Sequence, residues 1–302
     1  MKGVNLDLYD VFAPRPFGGN QAVVIDDADI SDGQLMAIAE EFRVSEAVSV
    51  TDDGGVLCLR FAAADRPIAS CGHGALAGAA HESIHHLIPA ERPLEGLYRM
   101  DGKTSRWFAT VISPDHLDVT VAWPEMPMHC GELPRKEISD ALRISPNHLD
   151  DRLPFAIYDS GNRNGLVPLR SLEALEQASP DYDMLKSLFE EFQLVDLHIY
   201  SLANGRHATG SMNLRCRNVF PFGILEEPAT GTASASLASA LFGFEPIRRL
   251  DSAVLNFRFD QGIGPRRGEL VVTFAPSDNG IVLLLSGSVY RTLCGDLRHL
   301  PP

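Results

Sequence analysis

The sequence predicts an α+β protein made of two similar lobes. Many short stretches alternate apolar and polar residues or run apolar between breakers, while long amphipathic helices are few, which is the pattern of a strand-rich mixed fold. Two distant stretches also share one plan. Glu226-Glu227-Pro228-Ala229-Thr230-Gly231-Thr232-Ala233 opens onto a helix of small residues, and Pro67-Ile68-Ala69-Ser70-Cys71-Gly72-His73-Gly74 opens onto another. Setting Gly72 on Gly231 pairs Cys71 with Thr230, His73 with Thr232 and Gly74 with Ala233. The separation exceeds any solenoid period, so two lobes are expected rather than an array. From Ala233 to Phe244 no side chain is charged, which predicts a helix enclosed on all sides.

Asn5 to Phe12 alternates and reads as a strand, followed by a turn rich in breakers, Ala13-Pro14-Arg15-Pro16-Phe17-Gly18-Gly19-Asn20, and a returning strand over Ala22 to Ile25. Ser31 can cap a helix whose stripe is Leu35, Met36, Ile38, Ala39 and Phe42. Ser45 to Val50 and Cys58 to Ala62 are strands, and the second delivers the chain to the first glycine turn and a helix running through His81, His85 and His86. Tyr98 to Val111 and Leu117 to Trp123 are strands divided by Ser113-Pro114-Asp115. Pro124-Glu125-Met126-Pro127-Met128 interrupts the pattern and marks the crossover, giving lobes over 1–126 and 127–302, with the last strand able to return to the first lobe. Beyond it, Lys136 to Leu142 and Asp181 to Phe192 are helices. Phe155 to Tyr158, Gly165 to Leu169, Leu197 to Leu202, Met212 to Arg217, Val254 to Phe259, Glu269 to Phe274 and Ile281 to Ser286 are strands.

The 302 residues, 45% of them hydrophobic, suffice for two cores. Forty acidic against 26 basic residues give a formal charge of -14, which disfavours nucleic acid and anionic membrane surfaces as partners. Acids stand where a signal peptide would have its apolar run, and no stretch approaches a membrane span of ~20 apolar residues. A cytoplasmic protein is expected. Five scattered cysteines lack the pairing of a zinc motif or a disulfide frame.

Chemistry concentrates at the glycine turns. A helix start presents unpaired N–H groups and a partial positive charge, so each turn suits a carboxylate or phosphate, and a site between two such starts is expected. His73 can donate to a substrate oxygen from its helix start, or merely cap or pack. Glu46 opens an apolar strand, where desolvation favours proton transfer near neutral pH, although a solvated turn glutamate fits the same pattern. Cys71 reads as a thiolate at a helix start or as small buried filler. Glu227 is a second acid or a favourable charge beside a helix N-terminus. His81 and His85 are one helical turn apart and can hold a metal, but none is expected there. No nucleophile elbow, P-loop or dinucleotide fingerprint occurs.

Asp10-Val11-Phe12, Pro16-Phe17-Gly18-Gly19-Asn20, Ser45-Glu46, Cys71-Gly72-His73-Gly74-Ala75-Leu76, Glu227-Pro228-Ala229-Thr230-Gly231-Thr232-Ala233 and Gln261-Gly262 resemble, in order, the motifs of the phenazine-biosynthesis PhzF-like isomerase family. The match runs from about residue 5 to residue 290. The resemblance implies the diaminopimelate epimerase-like fold, two pseudo-symmetric lobes in which a barrel-like sheet surrounds a central helix. It implies a proton shift on a small carboxylic acid without metal or organic cofactor, in a homodimer. Glu46 then becomes the proton-shuttling acid/base, with His73 and Glu227 as further catalytic groups. Asn20, Gly72, Gly74, Thr230, Gly231 and Thr232 fall to substrate binding.

Three departures stand out. Glu227 and Thr232 replace the family's Asp and Ser, Gly264-Pro265-Arg266-Arg267 replaces Gly-Arg-Pro-Ser, and Gly74 replaces Ala, which is expected to loosen the helix start by up to ~1 kcal/mol. Two other readings stay open. One is an amino-acid epimerase using Cys71, weakened because Thr230 stands where a second thiol would be. The other is a metabolite-binding protein without turnover on the same scaffold.

Overall fold

The structure, a computed structural model, describes residues 4–85, 94–206, 211–221, 225–244, 255–278 and 280–301. His86 and Val254, assigned above to a helix and a strand, lie outside them. The chain divides into two compact units. One takes Met1–Pro124, Gly268–Leu270 and Leu284–Pro302, and the other Glu125–Arg267 and Val271–Leu283.

The first unit begins with β1 (Val4–Val11), β2 (Asn20–Asp26), α1 (Asp32–Phe42), β3 (Glu46–Asp52), β4 (Val56–Ala62), the two-residue β5 (Pro67–Ile68), α2 (Gly72–His85), β6 (Leu94–Met100), β7 (Lys103–Ser113) and β8 (His116–Ala122). The second begins with β9 (Met128–Gly131), α3 (Arg135–Ala141), β10 (Ala156–Asp159), β11 (Arg163–Pro168), α4 (Leu172–Gln177), α5 (Tyr182–Phe192), β12 (Asp196–Arg206), β13 (Ser211–Val219), β14 (Glu226–Glu227), α6 (Gly231–Gly243) and β15 (Leu255–Gln261). Two long strands, β16 (Gly268–Ser277) and β17 (Gly280–Leu297), close the chain.

In the first unit β1 pairs with β2, β2 with β3, β3 with β4, β4 with β6, β6 with β7, β7 with β8, β8 with β17 and β17 with β1. That circuit is a closed eight-stranded barrel, and α2 packs against its strands β1 to β4 and β6 to β8. A closed barrel has no exposed edge, and its interior must be filled by side chains or by a buried segment. The small uncharged residues of α2 suit that interior, since Gly72 to His81 are all buried. Outside the barrel, α1 is held by a capping box between Ser31 and Gln34 and lays Leu35, Ile38 and Ala39 on the sheet.

In the second unit β9, β10, β11, β12, β13 and β15 pair in that order. Helix α6 packs on β9 to β12 and β15, and every residue from Gly231 to Leu241 is buried, as its lack of charge predicted. A buried polar ladder fixes its middle. Ser236 donates to Asn164 Oδ1 at 2.7 Å, and Asn164 Nδ2 donates to both Asp196 oxygens at 3.0 and 2.9 Å. Helices α3, α4 and α5 cover a separate apolar layer with Leu185, Phe189 and Leu142 at its centre.

Three local expectations change. The strand expected over Tyr98 to Val111 is a hairpin, because Asp101 and Gly102 both take positive φ, 51° and 71°, the geometry of a tight two-residue turn. The strand expected over Ile281 to Ser286 is far longer. It serves two neighbours in succession, β8 up to Tyr290 and β1 from Val289 on, and its half-exposed second part carries little apolar alternation. Met128, grouped with the breakers, starts β9.

Candidate functional site

Glu46 begins β3 and lies opposite Ala22 of the parallel strand β2, so the start of β3 is held beside Asn20. The route to Asn20 is fixed by a loop in which Phe17 N donates to Asp10 Oδ2 at 2.7 Å. Gly19 takes φ 60°, and a Cβ there would stand 2.1 Å from Val11 O, so only glycine fits. Ser45 Oγ then donates to Asn20 Oδ1 at 2.9 Å, and Asn20 Nδ2 comes within 3.5 Å of His73 Nδ1.

His73 is the second residue of α2 and is 3% exposed. Its Nε2 lies 2.7 Å from Glu46 Oε2, and its Nδ1 lies 3.5 Å from Cys71 Sγ. The Glu46 contact is an ion-pair approach off the line of a directed hydrogen bond, so Oε2 and Nε2 are both buried without a hydrogen-bond partner among the described residues. Cys71 caps the helix by accepting from Gly74 N at 3.2 Å. Burial, with the Glu46 charge beside it, pushes the Cys71 thiol up, so it is neutral near pH 7. Burial alone would depress His73, but Cys71 and then Glu46 beside it outweigh that and carry it well above 6.5.

The second turn is arranged differently. Thr230 is the N-cap residue of α6 but makes no side-chain cap, so the first amides of α6, Gly231 and Thr232 among them, receive no hydrogen bond from its hydroxyl. Its hydroxyl donates instead to Glu227 Oε2 at 2.7 Å. Buried Gln261 clamps the bend. Its Nε2 donates to Glu227 O and Thr230 Oγ1, both at 3.0 Å, while its Oε1 accepts from Thr230 N at 3.1 Å. Glu226, the other acid of the motif, is paired with Arg217 at 2.5 Å.

The structure thus brings Asn20, Glu46, Cys71, His73 and Gly74 together within the first unit, and Glu227, Thr230, Gly231 and Thr232 within the second. Gly72 opens α2, in the place Gly231 has in α6. Ser45 and Gln261 were not among the expected site residues, and only their motif membership pointed to them. Gly74 is not a loosened Ala. A Cβ there would stand 2.8 Å from the buried Phe61 ring and 3.0 Å from Cys71 Sγ.

Two groups of described residues bring three metal-type ligand atoms within 4.8 Å of one another, Glu46 with Cys71 and His73, and Asp7 with His81 and His85. Among the described residues no helix is long and apolar enough to cross a membrane, and all five cysteines are free.

The chain is similar to an uncharacterised isomerase of Bacillus subtilis strain 168, YfhB, at 26% identity over 79% of this chain and 81% of that protein. It is 27% identical to the trans-2,3-dihydro-3-hydroxyanthranilate isomerase of Pseudomonas fluorescens, over 78% of each. Among solved structures it resembles the Bacillus anthracis phenazine biosynthesis protein of the PhzF family, with a TM-score of 0.82 at 19% identity over 99% of this chain and 100% of that one. That likeness places the fold with the diaminopimelate epimerase-like architecture expected from the motifs. Residues 9–274 match the model of the phenazine biosynthesis-like protein family, PhzC-PhzF, and the chain belongs to that family.

Proposed function

We propose that the protein is an isomerase that shifts a proton within a small unsaturated carboxylic acid, with Glu46 as the acid/base. The observation that carries this is the buried Glu46–His73 contact at 2.7 Å, in which neither polar atom is spent on a directed hydrogen bond. An ionised carboxylate in that position accepts a proton from a carbon acid and returns it to another carbon. The adjacent protonated imidazole offsets negative charge as it develops on the substrate, the kind of fixed electrostatic stabilisation that carries most such reactions. Asn20, held by Ser45, lies beside His73, whose Nδ1 faces Cys71 Sγ. Gly72 opens the helix that carries the imidazole, and Gly74 makes room beside it for the Phe61 ring. The start of α6 at Gly231 and Thr232, with Thr230 set by Glu227 and Gln261, is read in the same proposal as a place that suits a carboxylate.

The Pseudomonas fluorescens relative suggests the first compound to try, trans-2,3-dihydro-3-hydroxyanthranilate. Incubation in deuterated water followed by mass spectrometry reads the proton shift directly. Wild-type protein is expected to incorporate deuterium into this compound or a related dihydroaromatic acid, and Glu46→Gln to lose at least 100-fold in rate, in keeping with the ~10²–10⁴ typical of a positioned general acid/base. Undiminished exchange in Glu46→Gln excludes the role. A cytoplasmic homodimer belongs to the same proposal, and sedimentation of purified protein tests the dimer.

A further inference from the structure

At the opposite end of α2 from His73, a second set of polar groups lies inside the first unit and takes no part in the proposed chemistry. Asp7 of β1 is fully buried. Its Oδ2 is 3.1 Å from His81 Nδ1 and 2.6 Å from His85 Nε2, and it accepts a hydrogen bond from Tyr9 at 3.0 Å. Its other oxygen, Oδ1, is buried with no hydrogen-bond partner among the described residues, and so is His81 Nε2. Three groups crowd one oxygen while its twin is left unsatisfied, an arrangement that a hydrogen-bonded clip alone does not account for.

The sequence supplies an independent sign that the expectation of no metal here overlooked. His81-Glu82-Ser83-Ile84-His85 reads His-Glu-x-x-His, the helical pattern that places two imidazoles on one face for a divalent metal. The motif needs a helix and a third ligand as its context. Both are present, since the stretch lies within α2 and Asp7 faces it from β1.

We propose that Asp7, His81 and His85 form a binding site for one divalent transition-metal ion of the zinc class. Two imidazole nitrogens and one carboxylate are the donor set that zinc accepts, with the fourth position left to water. Bonds of about 2.0–2.2 Å put neighbouring ligand atoms of a tetrahedron about 3.3–3.5 Å apart, so His85 Nε2 and Asp7 Oδ2 must separate by less than about 1 Å. The His85 side chain is 29% exposed and can make that move. Tyr9 is left to hydrogen-bond the coordinated carboxylate, an outer-shell role that usually tunes affinity. Among the described residues an opposing charge comes from Arg291, whose Nη1 is 3.8 Å from Asp7 Oδ2, but its Nη2 is engaged with Asp115 at 2.6 Å. The ion would pin strand β1 to the end of the central helix. This site is independent of Glu46 and of the isomerase reading.

The test is metal binding itself, on full-length protein stripped with a chelator and then titrated with Zn²⁺ by calorimetry and with Co²⁺ by visible absorption. One equivalent is expected, with the intense visible bands of tetrahedral Co²⁺. His85→Gln, which leaves the barrel interior untouched, should weaken binding at least about 100-fold, and Tyr9→Phe about 10-fold. Cys71→Ala should change nothing, which separates this site from the Glu46–Cys71–His73 group. Failure of wild-type protein to bind either metal, equal affinity in His85→Gln, or loss of binding in Cys71→Ala would each overturn the proposal.

Discussion

Replacing Glu46 by Gln should do more than slow proton exchange, because it should invert the titration of His73. The protein contains its own control. His198 is as deeply buried as His73 but, among the described residues, it has the neutral Asn218 amide as its hydrogen-bond partner, at 2.9 Å, and burial pushes it down to about 4. His73 meets the same burial yet stands well above 6.5, and the chief difference is an anion 2.7 Å from its Nε2. The two rings therefore part in opposite directions from the ordinary imidazole range, His198 down and His73 up. Two unit charges 2.7 Å apart at an effective dielectric constant of about 20 attract by about 6 kcal/mol, so Glu46 alone suffices. With Gln at position 46 the ring should fall toward the value of His198 and be neutral at pH 7. Stability then acquires opposite slopes. In the wild type the raised value gives a contribution that is complete below about 6.5 and is lost as pH rises through the folded value. In the variant the depressed value gives one that is complete above about 6.5 and is lost as pH falls toward about 4. The stability difference between the two proteins should therefore widen as pH drops from 8 to 5, by up to about 1.4 kcal/mol per pH unit. Histidine-selective NMR across that range, with urea melts at each end, reads both effects. A His73 ring that keeps the wild-type midpoint in Glu46→Gln, or a stability difference that is flat with pH, would refute the reasoning.

Three further outcomes follow from the same geometry. Cys71, buried and held up as a thiol, should be alkylated by iodoacetamide at pH 7.5 at least tenfold more slowly than exposed Cys130 and Cys294, as peptide mapping would show. Equal reactivity would mark it as a thiolate and revive the epimerase reading. Gln261→Ala removes three hydrogen bonds from the Thr230 bend and should cost about 2–4 kcal/mol in a urea melt, with a change below about 1 kcal/mol telling against the clamp. Gly74→Ala gains up to about 1 kcal/mol of helix propensity but forces a Cβ against the Phe61 ring, where overpacking costs about 1–3 kcal/mol. Net destabilisation is expected, relieved by adding Phe61→Leu, and a single variant more stable than wild type would show that the ring yields.

Much of the fold was legible because its signals are local. Gly72 and Gly231 both begin the helices they were expected to open, and the uncharged face of each helix marked it as interior. Ser31 caps the helix assigned to it, and Asp181, read as a helix's first residue, is its N-cap. What escaped was non-local or was overlooked. Nothing in Ile281 to Leu297 says that one strand serves two neighbours in turn, since that follows from barrel closure. The Asp101-Gly102 turn and the His-Glu-x-x-His stretch, by contrast, were plain in the sequence. At the candidate site, the residue types of Glu46 and His73 were readable, but their 2.7 Å approach depends on the parallel register of β2 and β3 and on where α2 begins in the barrel. The support from Ser45 and Gln261 depends on pairs 25 and 31 residues apart, which no local pattern encodes.

The two copies of the turn have diverged in a way that separates their chemistry. In the first, the capping position holds Cys71, which accepts from Gly74 N, and the residue after glycine is His73, facing Glu46, so the copy is rich in groups that exchange protons. In the second, Thr230 leaves the helix start uncapped and the residue after glycine is Thr232. Neither hydroxyl titrates in the physiological range, and the Glu227 carboxylate accepts a hydrogen bond from the Thr230 hydroxyl. A two-base racemisation needs two proton-exchanging groups, whereas a proton shift needs one, and the first turn, with His73 facing Glu46, supplies one by itself, which makes Glu46 the residue whose loss should matter most.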